Sequence, residues 1–121
     1  MARNVEIKAR VDDFDRQYLR AHEIAGREST VINHVDHFLN CESGRLKLRV
    51  LSPAEGYLIF YNRPDQTGPK LSSYSITATA EPEKLRSVLE AAYGVRRIVR
   101  KTRNYWLVER TRIHLDRVEC L

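Results

Sequence analysis

Several stretches of this chain alternate strictly between apolar and charged side chains, among them VEIKARV at the start, RLKLRV from Arg45 and RIHLD from Arg112. A period of two belongs to a β-strand with one dry face and one wet face, so the chain is constrained first of all to build a sheet. The wet faces are mostly cationic. Arg45, Lys47 and Arg49 share one side opposite Leu46, Leu48 and Val50, and Arg63 falls in step with Tyr57, Ile59 and Tyr61. Lys101 falls in step with Arg103, Lys8 with Glu6, and Arg112 with His114 and Asp116. In the first strand the same alternation predicts a buried apolar side made of Val5, Ile7, Ala9 and Val11.

Two segments break the alternation. DDFDRQYLRAHEIAG begins with the cap-type residues Asp12 and Asp13, places Phe14, Tyr18, Ala21 and Ala25 at helical spacing, and ends at Gly26. EPEKLRSVLEAAYG carries Pro82 in its first turn, an apolar stripe of Leu85, Val88, Leu89 and Ala92, and a stop at Gly94. The remaining apolar segments, HVDHFL, RLKLRV, YLIFYNR, KLSSYSIT, RRIVRKTR, NYWLVE and TRIHLDRVE, read as short strands punctuated by Gly and Pro. The expected order is one strand, a helix, four strands, a helix and three strands. That is an α+β protein on an antiparallel sheet of about eight strands, curled toward a barrel that two helices cover in part. RPDQTGPK is the candidate mobile flap.

With 121 residues the chain is long enough for one core and one domain. It contains no apolar run of membrane-spanning length and no apolar signal core, which points to an intracellular, cytoplasmic protein without a membrane partner. Cys41 and Cys120 make neither a disulfide framework nor a metal motif, and His34, His37 and His114 lack zinc-ligand spacing. The excess of 21 Lys and Arg over 16 Asp and Glu, a formal charge of +5, favours anionic partners.

Converging guanidinium and ammonium groups with a few carboxylates suit a polyphosphate accompanied by a divalent metal. The cations donate charge-assisted hydrogen bonds to phosphate oxygens, and the carboxylates offer hard oxygen ligands to Mg²⁺ or Mn²⁺. For any single strand a solvated surface explains the charges as well; repetition over five strands argues against it. No nucleophile elbow, Ser-His-Asp ordering or Gly-rich phosphate loop is present, so any chemistry would be metal-assisted attack on a phosphoryl group. Tyr57, Tyr61, Tyr74, Tyr105 and Trp106, interleaved with basic residues, keep a nucleic-acid surface open as an alternative that ranks below a small triphosphate.

In order and spacing, VEIKARV, HVDHFL, GRLKLR, LIFYNRPDQTGPKLSSY, VRKTR and RIHLDRVE together resemble the CYTH superfamily of triphosphate tunnel enzymes, which includes class IV adenylate cyclases and thiamine triphosphatases. The resemblance implies an eight-stranded antiparallel barrel whose charged face lines a tunnel for a triphosphate and one or two divalent ions. It implies metal-site roles for Glu6 and Asp116 and phosphate contacts for Lys8, Arg49, Arg63, Lys101 and Arg103, with Lys47, Arg112 and Lys70 as further contacts. Glu6, Lys8 and Asp116 would then be the catalytic set. The family's first strand reads Glu-x-Glu-x-Lys, whereas the first acidic position here is Asn4. The family's later Glu-x-Glu strand and C-terminal helices do not follow RIHLDRVE before Leu121, so residues 1–121 read as a CYTH-like domain lacking them, with an open barrel edge suited to self-association. Triphosphate binding, with hydrolysis of the terminal phosphoanhydride of an inorganic, nucleoside or thiamine triphosphate, leads. A non-catalytic polyphosphate module, an adenylate cyclase and a basic nucleic-acid binder follow.

Overall fold

The computed structural model describes residues 2–62 and 68–121. Alternating segments form strands β1 (Ala2–Glu6), β2 (Thr30–Leu39), β3 (Arg45–Ser52), β4 (Glu55–Asn62), β5 (Lys70–Thr79), β6 (Val95–Val108) and β7 (Thr111–Cys120). The two helical segments form α1 (Phe14–Ala25) and α2 (Pro82–Tyr93). The strands pair antiparallel in the order β1-β5-β4-β3-β2-β6-β7, a curled sheet of the incompletely closed barrel type. The α+β class, the antiparallel sheet and the two helices are those the sequence predicts.

The strand count among the described residues is seven, because RRIVRKTR and NYWLVE run together as the 14-residue β6. No Gly or Pro lies between them, so nothing in the backbone chemistry interrupts the ladder. A second correction concerns the start of the chain. β1 stops at Glu6, leaving Lys8 beyond the strand, and Val5, Ile7 and Val11 are 73%, 69% and 42% exposed. β1 pairs at the sheet's margin with β5, where Val5 faces Leu71, itself 52% exposed. Neither helix contacts these two strands closely, so the expected dry side is not buried.

Both helices lie on the outer face. Asp13 caps α1 by accepting a hydrogen bond from the Arg16 amide at 3.1 Å, and Gly26 closes it in the left-handed conformation at φ 67°. The apolar stripe of α1 presses Phe14, Tyr18, Ala21 and Ala25 against Trp106 and Leu115. Trp106 is almost fully buried, meets Tyr18 edge-on at 5.4 Å and donates its indole N–H to the Arg27 carbonyl. α2 packs over β2, β3 and β4, and Pro82 sits so close to Gly56 that a β-carbon there would lie 2.8 Å from the Pro82 Cβ. With apolar residues such as Leu48, Trp106 and Leu115 on the outer face, period-two alternation puts the charged residues on the inner face, where Phe38, Ile59 and Val99 are interleaved with them. The curl brings the Lys8 charge near enough to Lys101 to influence its ionisation, although the two lie at opposite sides of the sheet order. The flap predicted over 63–70 falls largely on residues 63–67, outside the described residues.

Candidate functional site

Register decides which charges meet on the inner face. Asp36 of β2 stands opposite Arg49 of β3, Phe38 opposite Lys47, and His34 opposite Lys101 of β6; Arg103 stands opposite Asp116 of β7. Asp36 is fully buried, and the Arg49 guanidinium grips it through two hydrogen bonds of 2.9 and 3.1 Å. Lys47 donates to the same carboxylate at 3.2 Å, and the Lys101 ammonium lies 3.8 Å away. Arg103 forks onto Asp116 in the same way, at 2.8 and 3.0 Å. The result is one cluster in which four cations surround two carboxylates, leaving excess positive charge in a half-buried surface.

The ionisation of these groups follows from that crowding. Burial alone would raise the Asp36 carboxyl, but the Arg49 hydrogen bonds and the Lys47 and Arg49 charges outweigh it and hold the group well below the usual carboxylate range. Asp116 is lowered for the same reason, with Arg103 overriding desolvation. Desolvation pushes the Lys47 ammonium down to about 8, against the pull of Asp36, and lowers Lys101 as well. His34, 3% exposed, is held down to about 4 by burial and by the Arg49 charge, so it is neutral at pH 7. Neither of its ring nitrogens has a hydrogen-bond partner, and Nε2 lies 3.8 Å from Asp36. Burial and Arg103 lower His114 to about 4 too, although its side chain keeps access to solvent and packs against Tyr105.

Of the residues predicted from sequence, Lys47, Arg49, Lys101, Arg103 and Asp116 come together in this cluster. Glu6 lies at the end of β1 opposite Lys70 of β5, on the inner-face register, and Lys8 lies exposed just beyond. Arg112 is exposed near the start of β7, opposite Leu107. Arg63 lies outside the described residues. Sequence reasoning missed Asp36 and His34. HVDHFL reads as a strand, and its alternation places His34, Asp36 and Phe38 on one face; that this face meets the cations of β3 and β6 is known only from the register.

A preassembled divalent-metal cage does not fit what is seen. Among the described residues no three His, Cys, Asp or Glu side chains group together, and the oxygens of Asp36 and Asp116 are engaged by guanidinium forks. Mg²⁺ commonly binds through one or two carboxylates together with water and substrate phosphates. The polar face is therefore ready for an anion before it is ready for a metal.

A sheet curled around cations, with two helices outside, has a close solved counterpart in the PH1012 protein from Pyrococcus horikoshii OT3. The TM-score is 0.72 at 15% identity, over 97% of this chain and 70% of that one. At that identity the likeness establishes the fold alone. The family profile for the CYTH domain matches residues 2–121. The chain belongs to the CYTH family. No curated protein matches it. CYTH domains as a family have the triphosphate tunnel fold, which takes triphosphate-containing ligands with divalent ions, and the cluster of this CYTH domain lies on the inner face of its curled sheet. Among the described residues no helix is long and apolar enough to cross a membrane.

Proposed function

We propose that this CYTH domain binds a triphosphate-containing small molecule on its inner face, with Lys47, Arg49, Lys101 and Arg103 as the principal phosphate contacts. Lys8, Lys70 and Arg112 are further basic contacts, and Arg63, outside the described residues, is a phosphate contact by its match to the family motif. A divalent ion, Mg²⁺ or Mn²⁺, arrives with the phosphates, and Glu6 and Asp116 are the carboxylates that would hold it. The observation that carries this reading is the four-cation cluster in which Lys47, Arg49 and Lys101 meet buried Asp36 and Arg103 forks onto Asp116. Excess charge fixed in place by two guanidinium forks favours a compact polyanion, because the donors need little reorganisation when phosphate oxygens arrive. Inorganic, nucleoside and thiamine triphosphates present the same phosphates to these cations.

The engagement of both aspartates by arginine favours binding over turnover. Titrating tripolyphosphate into the protein in Mg²⁺, read by calorimetry, is expected to give finite heats that saturate at one ligand per chain. Sustained heat after each injection would instead establish hydrolysis, and the absence of any heat would overturn the reading. A nucleic-acid surface would show affinity that grows with strand length, falls steeply with salt and resists competition by tripolyphosphate.

A further inference from the structure

A second group of cations lies away from the central cluster, at the rim where β2 ends and β3 and β6 begin. There Arg45, Arg96 and Arg97 line one cavity of about 140 Å³ together with Phe38 and Gly44. Arg96 and Arg97 both reach this cavity because of a β-bulge. Phe38 pairs with Arg97 but Leu39 pairs with Val95, so Arg96 is an extra residue without an opposite number. Bulges re-aim side chains in this manner and recur beside functional sites. The Arg97 guanidinium lies 4.5 Å from the centre of the Phe38 ring, a stack that holds it in place. Gly44, at φ 72°, leaves no room for a side chain: a β-carbon would stand 2.8 Å from the Phe60 ring.

Among the described residues no carboxylate pairs with the charge of this cavity. The ion pairs of the described residues engage Arg49, Arg86, Arg100 and Arg103, but none of them includes Arg45, Arg96 or Arg97. Glu42, in the adjoining β2–β3 hairpin, makes no ion pair with them. Three solvent-exposed arginines lining one pocket concentrate positive charge that water screens and an anion would neutralise, and their planar forks match phosphate oxygens. Since a water molecule's share of volume is about 30 Å³, the cavity has room for a phosphate-sized group with part of its hydration. Phe38 connects the two basic regions, since the Lys47 ammonium lies 5.5 Å from the same ring.

We infer that this rim pocket is a second oxyanion site, distinct from the central cluster, which takes a phosphate group. The phosphate is either free orthophosphate or the far end of a polyphosphate whose first phosphates occupy the centre. Arg45 and Arg49 are four residues apart on β3, about 13 Å along the strand, so only an extended chain reaches both.

The test titrates orthophosphate into the protein alone and into protein saturated with tripolyphosphate, read by ³¹P NMR. In both forms orthophosphate should bind saturably, and Arg45→Ala or Arg96→Ala should each weaken it about tenfold. Both arginines are solvent-exposed, so the fold should survive either change. Arg110→Ala, in the β6–β7 turn, serves as the charge control and should change it less than about twofold. Orthophosphate that does not bind, or that binds the two variants as well as the unaltered protein, overturns the inference. If a long linear polyphosphate displaces orthophosphate and outbinds tripolyphosphate only while Arg45 and Arg96 are present, the rim takes the distal end of a chain. If it leaves orthophosphate in place, the rim takes free phosphate. Should tripolyphosphate fail to bind while the orthophosphate result holds, the proposed central function falls and the rim site stands.

Discussion

Asp36 is the residue on which the inner face turns. Its carboxylate is buried and neutralises part of a charge made by Lys47, Arg49 and Lys101, so it determines whether those cations can stand together without a ligand. Asp36→Asn keeps the shape and removes the charge. Because breaking a buried ionic group typically costs about 3–5 kcal/mol, the variant should lose stability of that order in urea denaturation, and tripolyphosphate should restore more of it than it adds to the unaltered protein. His34 gives the face a pH dependence. Its folded pKa lies below its unfolded value, near 6.5, so its contribution to stability is complete above that value and is lost as pH falls toward about 4. By pH 5 the loss should be about 2 kcal/mol, measured as a lower urea midpoint, and His34→Gln should flatten that slope. His114 acts in the same direction but more weakly, because solvent screens it. Asp36 itself titrates only at lower pH and adds to the loss there.

At the scale of elements, the helices decide which side of the sheet is free for function. Pro82 in the first turn of α2 rests on the bare backbone of Gly56 in β4, where a β-carbon would also stand 3.0 Å from the Arg49 carbonyl. Gly56→Ala should therefore lift α2, disturb the strand that carries Arg49, and lower stability by about 1–3 kcal/mol, with Trp106 fluorescence as the readout. Alternation and caps made both helices and most strands legible in the sequence, because those signals are local. The undivided β6 was not, since a helix-free stretch without turn residues can be read as one strand or two. The exposed apolar side of β1 was not legible either. Period two states that Val5 and Ile7 face the same way, but only the sheet order reveals that no helix covers that margin. Likewise, the basic half of the candidate site could be read residue by residue, whereas Asp36, His34 and the grouping of Arg45, Arg96 and Arg97 depend on register and on a bulge.

For the whole molecule, the arrangement amounts to a division of labour between two faces of one curled sheet. Apolar residues and both helices hold the outer face together, and the inner face is left with concentrated positive charge on a frame that carries a formal charge of +5 overall. The central claim is that this inner charge is a binding site for a compact polyanion rather than a solvated surface. Lys101 offers the cleanest probe: its ammonium sits 3.8 Å from Asp36, yet Lys47 and Arg49 still neutralise the carboxylate without it. The measurement is the tripolyphosphate affinity of Lys101→Met against that of the unaltered protein, at matched salt. A charge-assisted phosphate contact contributes about 1.5–3 kcal/mol, so the affinity should fall roughly tenfold to a hundredfold. An unchanged affinity would contradict the account, because it would mean that the ligand does not meet the cluster.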